Sequence, residues 1–246
     1  MIEPILPPYV VAADTCEDFL DGPLFPEEEA IISRAVDRRR REFTTARVCA
    51  RDALRMLGRP ASPILPGVRG NPLWPEGITG SITHCAGYRG AVLGPRTDAA
   101  AIGIDAERND PLPNGVLDAI GLPQEARHIR DLLDAYPSIR WDRLLFSAKE
   151  AVYKAWFPLV NNRPGFEDAL IDIDPMAGVF TARLLAGGPF VNGRRLTTIS
   201  GRWLAKNGLI LTAIVITAAG HSERSDNSSP VSSGGSKVHK ITGWNP

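Results

Sequence analysis

One long amphipathic segment constrains the fold of this chain more than any other feature. Residues 138–157 carry apolar side chains three or four positions apart, which is the spacing of a single helix face. These side chains are Leu145, Ala148, Val152 and Ala155, and Leu159 continues the stripe just beyond the segment. Ser138 is predicted to cap the start of the helix and Pro158 to end it. Because an apolar helix face has to be buried against another element, the segment predicts a layered fold.

Helix followed by strand is predicted in both halves of the chain. The first half has a predicted helix at residues 26–57, a loop rich in proline and glycine, and paired strands within residues 78–93. In the second half a buried strand at residues 99–106 precedes the helices, and three more strands follow them. Those three strands are predicted at residues 169–173, 179–185 and 209–217. The order predicts an α+β fold built from a duplicated unit.

The overall composition excludes several classes of function. Lysine plus arginine and aspartate plus glutamate number 28 each, so the net charge favours neither a nucleic-acid binder nor a basic membrane-surface protein. Three cysteines without a C-x-x-C pair support neither a disulfide framework nor a zinc site, and they predict a reducing cytoplasm. The longest apolar run, residues 209–219, is too short to span a bilayer. Residues 219–246, rich in serine and glycine, are predicted to be a disordered tail.

Two carboxylates follow the apolar strand Ile102-Gly103-Ile104. Asp105 and Glu107 are two residues apart, so on a strand their side chains point to the same side. No lysine or arginine on that strand neutralises them, and such a pair suits a hard divalent cation that keeps some of its waters, namely magnesium. A solvated strand end is the alternative interpretation, and the strand alone does not exclude it.

The long helix carries a second candidate site. Glu150 and Lys154 lie four residues apart and are predicted on the helix face opposite the apolar stripe. In the functional interpretation Glu150 is a third metal ligand or a base, and Lys154 is a positive charge for phosphate. A Glu-to-Lys pair at this spacing also stabilises a helix without any catalytic role.

Two basic or hydroxyl-bearing segments in the first half could bind phosphate. Residues 80–84 place Ser81, Thr83 and His84 close together, where their donors could face an anion. Arg47, Arg51 and Arg55 fall on one helix face, and guanidinium groups match phosphate geometry. The alternatives are a structural histidine and a solvated basic helix face.

Taken in order, three of these segments resemble Sfp-type 4'-phosphopantetheinyl transferases, in the branch with the enterobactin-synthase and mycobacterial enzymes. That family has G-S-x-[ST]-H, then G-[IV]-D-x-E, then F-[SC]-A-K-E-[AS]-x-[YF]-K. The chain carries all three motifs complete, at residues 80–84, 103–107 and 146–154. The similarity extends over most of residues 20–218 and does not include the tail.

The resemblance implies a fold and an activity. The fold would be a pseudo-twofold pair of α+β subdomains, with coenzyme A in the cleft between residues 1–100, which contact its nucleotide, and residues 101–218, which carry the metal site. The activity would move 4'-phosphopantetheine from coenzyme A to a serine of an apo acyl or peptidyl carrier protein, releasing adenosine 3',5'-bisphosphate. The chain is expected to act as a monomer.

The same resemblance implies roles for individual residues. Mg²⁺, or Mn²⁺, would be held against the pyrophosphate by Asp105, Glu107 and Glu150. Lys154 would lie beside the same phosphates, and Glu150 is the candidate base. The nucleotide would be contacted by Arg39, Arg47, Ser81, Thr83 and His84. Arg69 is predicted to replace a lysine that relatives often place in the loop at residues 65–72.

Three other classes of protein are alternatives to a phosphopantetheinyl transferase. A degenerate relative could bind coenzyme A or a carrier protein without transferring anything, although the three retained carboxylates argue against a pure binder. A basic-helix module for nucleic acid would use residues 38–55, but the segment has no interleaved aromatic residues. The motifs G-x-x-x-x-G-K-[ST] and G-x-G-x-x-G, typical of classical nucleotide-binding enzymes, do not occur. Residues 161–164 also depart from the family pattern, which could change the preferred carrier protein.

Overall fold

A computed structural model describes residues 1–19, 22–160 and 164–218 of the chain. Within these ranges the chain forms ten β-strands and five α-helices, and the predicted α+β class is confirmed. The predicted disordered tail, residues 219–246, lies outside the described residues. No helix in the described part of the chain is long and apolar enough to cross a membrane.

The first half is a three-stranded antiparallel sheet covered by a long helix. The sheet has the order β1-β3-β2, and α2 packs against β1 and β3. The elements are β1 (Val11–Thr15), α1 (Pro26–Ile32), α2 (Asp37–Met56), β2 (Ile78–Cys85) and β3 (Tyr88–Pro95).

The prediction of one continuous helix over residues 26–57 is wrong. The α1 helix ends at Ile32, and Val36 adopts an extended conformation before α2 begins. The Ile32 carbonyl accepts hydrogen bonds of 2.9 Å from the Arg40 guanidinium and from the Ala35 N–H, so the end of α1 is satisfied without a continuing helix. The chain therefore changes direction between the two helices.

The second half is a five-stranded sheet with α-helices on one side. Its order is β4-β10-β9-β6-β5, and a separate hairpin joins β7 to β8. The predicted strands near residues 99, 169, 179 and 209 are all present, while β9 was not predicted. The elements are β4 (Ala99–Arg108), α3 (Val116–Ile120), α4 (Pro123–Ala135), α5 (Trp141–Trp156), β5 (Ala169–Asp174), β6 (Val179–Leu184), β7 (Phe190–Val191), β8 (Arg194–Arg195), β9 (Thr198–Lys206) and β10 (Leu209–Thr217).

The long predicted helix is α5, and it begins two residues later than expected. Ser138 is not its cap, because the residue preceding the helix is Arg140. The Asn109 side chain accepts a hydrogen bond of 2.8 Å from the Arg140 N–H and donates one of 3.0 Å to the Ser138 carbonyl. A residue at the end of β4 therefore holds the start of α5.

Gly103 allows α5 to lie directly on β4. A Cβ atom at this position would lie 2.0 Å from the Ala151 carbonyl oxygen and 2.6 Å from the Ala155 nitrogen. Only glycine avoids that overlap with helix backbone. The close contact fixes the distance between the motif on β4 and the motif on α5.

The two sheets meet where β2 runs beside β4. The Ile104 N–H donates to Ser81 Oγ, and the Ala106 N–H donates to Thr83 Oγ1, each at 3.1 Å. Apolar residues from both halves fill one cluster behind this seam. The cluster includes Ile2, Val10, Tyr88, Val92, Ile102, Ile104 and Leu211. The proposed boundary between residues 100 and 101 stays a prediction.

Candidate functional site

Asp105 and Lys154 form the centre of the candidate site. Lys154 Nζ lies 2.7 Å from Asp105 Oδ1 and also donates to the Ile104 carbonyl at 3.1 Å. Thr83 Oγ1 donates to the same carboxylate oxygen at 3.3 Å. The second oxygen, Asp105 Oδ2, is buried and has no hydrogen-bond partner. One side of the carboxylate is thus held by the protein, and the other is available to a ligand.

Glu107 is paired with an arginine that the sequence interpretation missed. Arg143, near the start of α5, places Nη1 3.0 Å from Glu107 Oε2 and also donates to the Pro111 carbonyl. Burial, followed by the charge of Asp105, raises the pKa of Glu107, while Arg143 opposes that shift. β4 itself ends with Arg108, which pairs with Asp110 at 2.7 Å rather than with either carboxylate. The cationic partners of the two carboxylates come from α5, which supplies both Arg143 and Lys154.

Glu150 lies on the side of α5 that faces these groups. It follows Arg143 by seven residues and precedes Lys154 by four, and positions at that spacing share one helix face. Among residues 1–19, 22–160 and 164–218, no three His, Cys, Asp or Glu side chains are close enough together to hold a metal ion. The structure therefore brings Asp105 and Glu107 together, and the role of Glu150 as a third ligand stays a prediction.

The donor set fits a hard divalent cation. Asp105 and Glu107 offer carboxylate oxygens, and the unpartnered Asp105 Oδ2 marks a buried position where a positive charge would be favourable. A cation bound by two carboxylates takes its other ligands from water or from phosphate, which is the usual pattern for Mg²⁺. The residues present are compatible with the predicted magnesium.

One cavity beside the site contains three of the five predicted nucleotide contacts. Its volume is about 390 Å³, and Arg39, Arg47 and His84 are among its lining residues. Arg39 Nη1 lies 3.4 Å from His84 Nε2. Desolvation at the cavity lowers the pKa of His84, and the charge of Arg39 acts in the same direction, against the effect of Glu42. An anion between Arg39 and His84 would relieve that unfavourable charge.

Arg47 is buried more deeply than a simple surface ligand. Its guanidinium lies 3.7 Å from the centre of the Phe43 ring, and Nε donates to the Ile64 carbonyl at 3.3 Å. Burial lowers the pKa of Arg47 to about 10, which leaves it charged near neutral pH. Arg47 thus contributes both a cavity wall and a fixed positive charge.

A second cavity of about 440 Å³ adjoins the first and reaches Lys154. Gly70, Pro72 and Ile82 line both cavities. The second cavity also has aromatic walls from Trp74, Tyr153 and Phe157, and Ser81 and Arg69 line it. The Arg69 guanidinium lies 5.9 Å from the centre of the Phe157 ring. The predicted loop arginine therefore faces the end of α5.

Comparison with known proteins identifies the family to which these features belong. Residues 27–94 match the family model of the 4'-phosphopantetheinyl transferase N-terminal domain, and residues 101–201 match that of the 4'-phosphopantetheinyl transferase superfamily. The chain is 52% identical to 4'-phosphopantetheinyl transferase Svp of Streptomyces mobaraensis over 229 residues. These residues span 92% of this chain and 93% of that protein. The chain belongs to the 4'-phosphopantetheinyl transferase superfamily.

Further members of the superfamily are similar over most of their length. The 4'-phosphopantetheinyl transferase PptT of Mycobacterium tuberculosis is 53% identical over 195 residues, which span 78% of this chain and 85% of that protein. Enterobactin synthase component D of Salmonella typhimurium is 31% identical over 202 residues, which span 79% and 78%. The resemblance found in the three sequence motifs is confirmed.

Two of the predicted phosphate contacts, Ser81 and Thr83, are hydrogen-bonded to the backbone of β4. Ser81 and Thr83 are buried, and their hydroxyl oxygens accept hydrogen bonds from β4. Thr83 also directs its proton to Asp105, so in this structure it supports the carboxylate rather than facing an open cavity. Ser81 lines the second cavity, and its contact with a ligand stays a prediction.

The three arginines predicted on one helix face have different environments. Arg47 lines the nucleotide cavity, whereas Arg51 is buried against Glu28. Arg55 is exposed and pairs with Asp52 at 2.8 Å. The alternative of a solvated helix face therefore describes Arg55, and Arg51 is held in a buried ion pair away from the two cavities.

A further cavity of about 400 Å³ lies between α4 and strands β5, β6 and β9. His128, Asp172 and Arg183 line it, and none of the predicted site residues does. It contains no motif residue of the superfamily, so we assign the candidate site to the two adjoining cavities.

Proposed function

We propose that this chain transfers 4'-phosphopantetheine from coenzyme A to a serine of an apo acyl or peptidyl carrier protein, using magnesium. Membership of the superfamily supports the transferase activity. The observation that carries the metal assignment is Asp105, whose Oδ1 is held by Lys154 and Thr83 while its buried Oδ2 has no partner. A bound cation would satisfy that oxygen.

Basic and hydrogen-bonding side chains in the site match the charge distribution of coenzyme A. Arg39, His84 and Arg47 line one cavity and suit the phosphate groups of the nucleotide. The aromatic walls of the adjoining cavity suit the uncharged parts of the same ligand. Lys154 lies between the second cavity and Asp105, where its ammonium group can contact the pyrophosphate.

In the proposed reaction the serine oxygen of the carrier forms a bond to the phosphorus next to the pantetheine arm. The bond from that phosphorus to adenosine 3',5'-bisphosphate breaks, and Glu150 accepts the proton of the serine hydroxyl. Lys154 offsets negative charge on the leaving group. Magnesium, with manganese as the alternative, supplies further positive charge against the pyrophosphate when bound to Asp105, Glu107 and Glu150.

The role of Glu150 has a direct test. Glu150→Gln keeps the size of the side chain but removes its capacity to accept a proton. We expect the turnover rate at saturating magnesium to fall by about 100-fold or more. Near-normal turnover under that condition would remove Glu150 from the proposed mechanism.

Intact-mass spectrometry of a carrier protein tests the whole proposal. An apo acyl or peptidyl carrier protein is incubated with this protein, coenzyme A and magnesium. We expect a gain of one phosphopantetheine group that is lost on chelation of the metal. If coenzyme A binds but acyl and peptidyl carriers all keep their apo mass, the chain binds coenzyme A without transferring from it.

Two further properties are part of this proposal. Both walls of the cleft come from one chain, which supports an active monomer. Cys16, Cys49 and Cys85 are free thiols, which supports a reducing compartment such as the cytoplasm.

A further inference from the structure

Glu28 is a fully buried carboxylate that the proposed mechanism does not use. It lies in α1 and has no solvent-exposed surface. Arg51 of α2 donates to both of its oxygens, at 3.1 and 2.9 Å, and the Phe25 N–H donates to Oε2 at 3.0 Å. A second donation from Arg51 goes to the Pro23 carbonyl. A buried charge held in this way fixes the position of every group bonded to it.

One of those groups belongs to a different part of the chain. The Ile64 N–H donates to Glu28 Oε1 at 2.9 Å, and the carbonyl of Ile64 accepts from Arg47 at 3.3 Å. Ile64 itself is completely buried. Both polar groups of this residue are therefore attached to charged side chains of α1 and α2.

The segment that follows Ile64 forms a wall of the proposed coenzyme A site. The Leu73 N–H donates to the Leu65 carbonyl at 2.8 Å, and the Gly67 N–H donates to the Asn71 carbonyl at 2.7 Å, so residues 65–73 form a closed loop. Gly70 and Pro72 of this loop line both cavities. Because the loop starts directly after Ile64, the hydrogen bonds that hold Ile64 also determine the position of that wall.

The second half contains the same arrangement of groups. Glu125 of α4 is buried, lies 3.0 Å from Lys149 of α5, and accepts from the Leu122 N–H and from the Ile171 N–H, each at 2.6 Å. In each half a short helix begins with proline, and a buried glutamate two residues later joins a basic residue of the long helix to the backbone of a third segment. The repeated arrangement indicates that each buried pair serves to attach a third segment, through the Ile64 N–H in the first half and the Ile171 N–H in the second.

We propose that Glu28 and Arg51 are positioning residues for coenzyme A: they hold the loop at residues 65–73, and thereby the wall shared by the two cavities. The inference rests on the proposed function, because coenzyme A is the ligand it concerns. Glu28 and Arg51 act through the loop and do not touch the ligand. Removing them weakens coenzyme A binding while the groups around Asp105 stay in place.

Two variants test this role. Glu28→Gln is nearly isosteric and removes a charge and one acceptor, while the double variant Glu28→Leu with Arg51→Met removes the pair without leaving a buried charge unpaired. The Kd of coenzyme A is measured by calorimetry without metal or carrier, together with KM and kcat for carrier modification and hydrogen exchange of residues 65–73. The matched control is Glu29→Gln, which changes a neighbouring exposed glutamate that pairs with Arg40.

We expect the double variant to raise both Kd and KM by about tenfold or more, and Glu28→Gln by a smaller factor, with kcat within about threefold of the wild type. Hydrogen exchange should accelerate in residues 65–73 and not in β4. Glu29→Gln should change none of these quantities. A folded Glu28→Gln protein with unchanged Kd and unchanged exchange in the loop would overturn the positioning role. Failure of the wild type to modify any carrier would count against the proposed function instead.

Discussion

The two halves of the molecule are built on the same plan but carry different chemistry. Each half ties a short helix, a long helix and a third segment together through one buried glutamate, Glu28 in the first half and Glu125 in the second. The difference lies on the strands that meet at the seam. β2 presents the hydroxyl groups of Ser81 and Thr83, whereas β4 presents the carboxylates of Asp105 and Glu107. The comparison shows that the scaffold is repeated, while the carboxylates of the proposed metal site all belong to the second half.

The cations of the two buried pairs also differ. Arg51 directs one guanidinium nitrogen to both oxygens of Glu28 and the other to the Pro23 carbonyl. Lys149 instead has three acceptors around its ammonium group, which are Glu125 and the carbonyl oxygens of Phe166 and Ala169. Three acceptors match the three protons of an ammonium group. The second half therefore uses its cation to hold backbone as well as carboxylate.

The largest expected effect comes from the chemistry that the first half lacks. Asp105→Asn keeps the shape of the side chain but removes the charge that faces the unpartnered position. We expect carrier modification to fall by about 100-fold or more, measured by intact mass at saturating coenzyme A. Asp110→Asn, which changes an exposed aspartate shortly after β4, should keep activity within about twofold. Equal activities for the two variants would contradict the assignment of chemistry to β4.

The second prediction tests the buried pair of the second half. Lys149→Met leaves the Glu125 carboxylate buried without its cation, and Lys149 and Glu125 are each only 1% exposed. We expect the free energy of unfolding to fall by about 3–5 kcal/mol in urea denaturation. The control is Arg55→Met, which removes an exposed pair and should cost less than about 1 kcal/mol. A loss as small as the control's would mean that this pair does not hold its half together.

The third prediction concerns the seam between the halves. Thr83→Val conserves volume but leaves the buried Ala106 N–H without its acceptor. We expect a decrease of about 1–3 kcal/mol in the free energy of unfolding, measured by urea denaturation. Thr181→Val on the exposed face of β6 is the control and should be nearly neutral. An equally neutral Thr83→Val would show that the hydroxyl is dispensable at the seam.

The smallest expected effect is a change in pH dependence. Arg143 opposes the increase in the pKa of Glu107, so Arg143→Met should raise that pKa further. Glu107 then binds a proton at a higher pH, and the carboxylate form needed by a metal is lost earlier as the pH falls. We expect the acidic limb of the transfer rate to move upward by about one pH unit. Arg130→Met, which removes an exposed pair with Asp118, should leave the profile unchanged.

The site residues that depend on local periodicity could be predicted from the sequence. Strand alternation puts Asp105 and Glu107 on one side of β4, and helix spacing puts Glu150 near Lys154. Arg143 could not be predicted in this way, because it belongs to the site through a contact with Glu107, which lies 36 positions earlier in the chain. The hydroxyl groups of Ser81 and Thr83 suit a phosphate or a neighbouring strand equally well, and only the packing of β2 beside β4 distinguishes the two.

The strands that the sequence did not reveal have weak signals for physical reasons. The five residues of β1 are all half-buried, so they show no alternation. β9 does alternate, with Ile199, Gly201 and Trp203 buried between exposed residues, but a central glycine and a basic outer face lower its strand propensity. The apolar strands β4 and β10 were predicted because both their faces are covered.

The apolar cluster behind the seam has a thermodynamic consequence. It takes Tyr88 and Val92 from the first half and Ile104 and Leu211 from the second, so the halves share this cluster in addition to the separate core that each has of its own. Opening one half would expose the apolar surface that stabilises its neighbour. Folding energy is thereby shared across the seam, and the described part of the molecule should melt in a single cooperative transition.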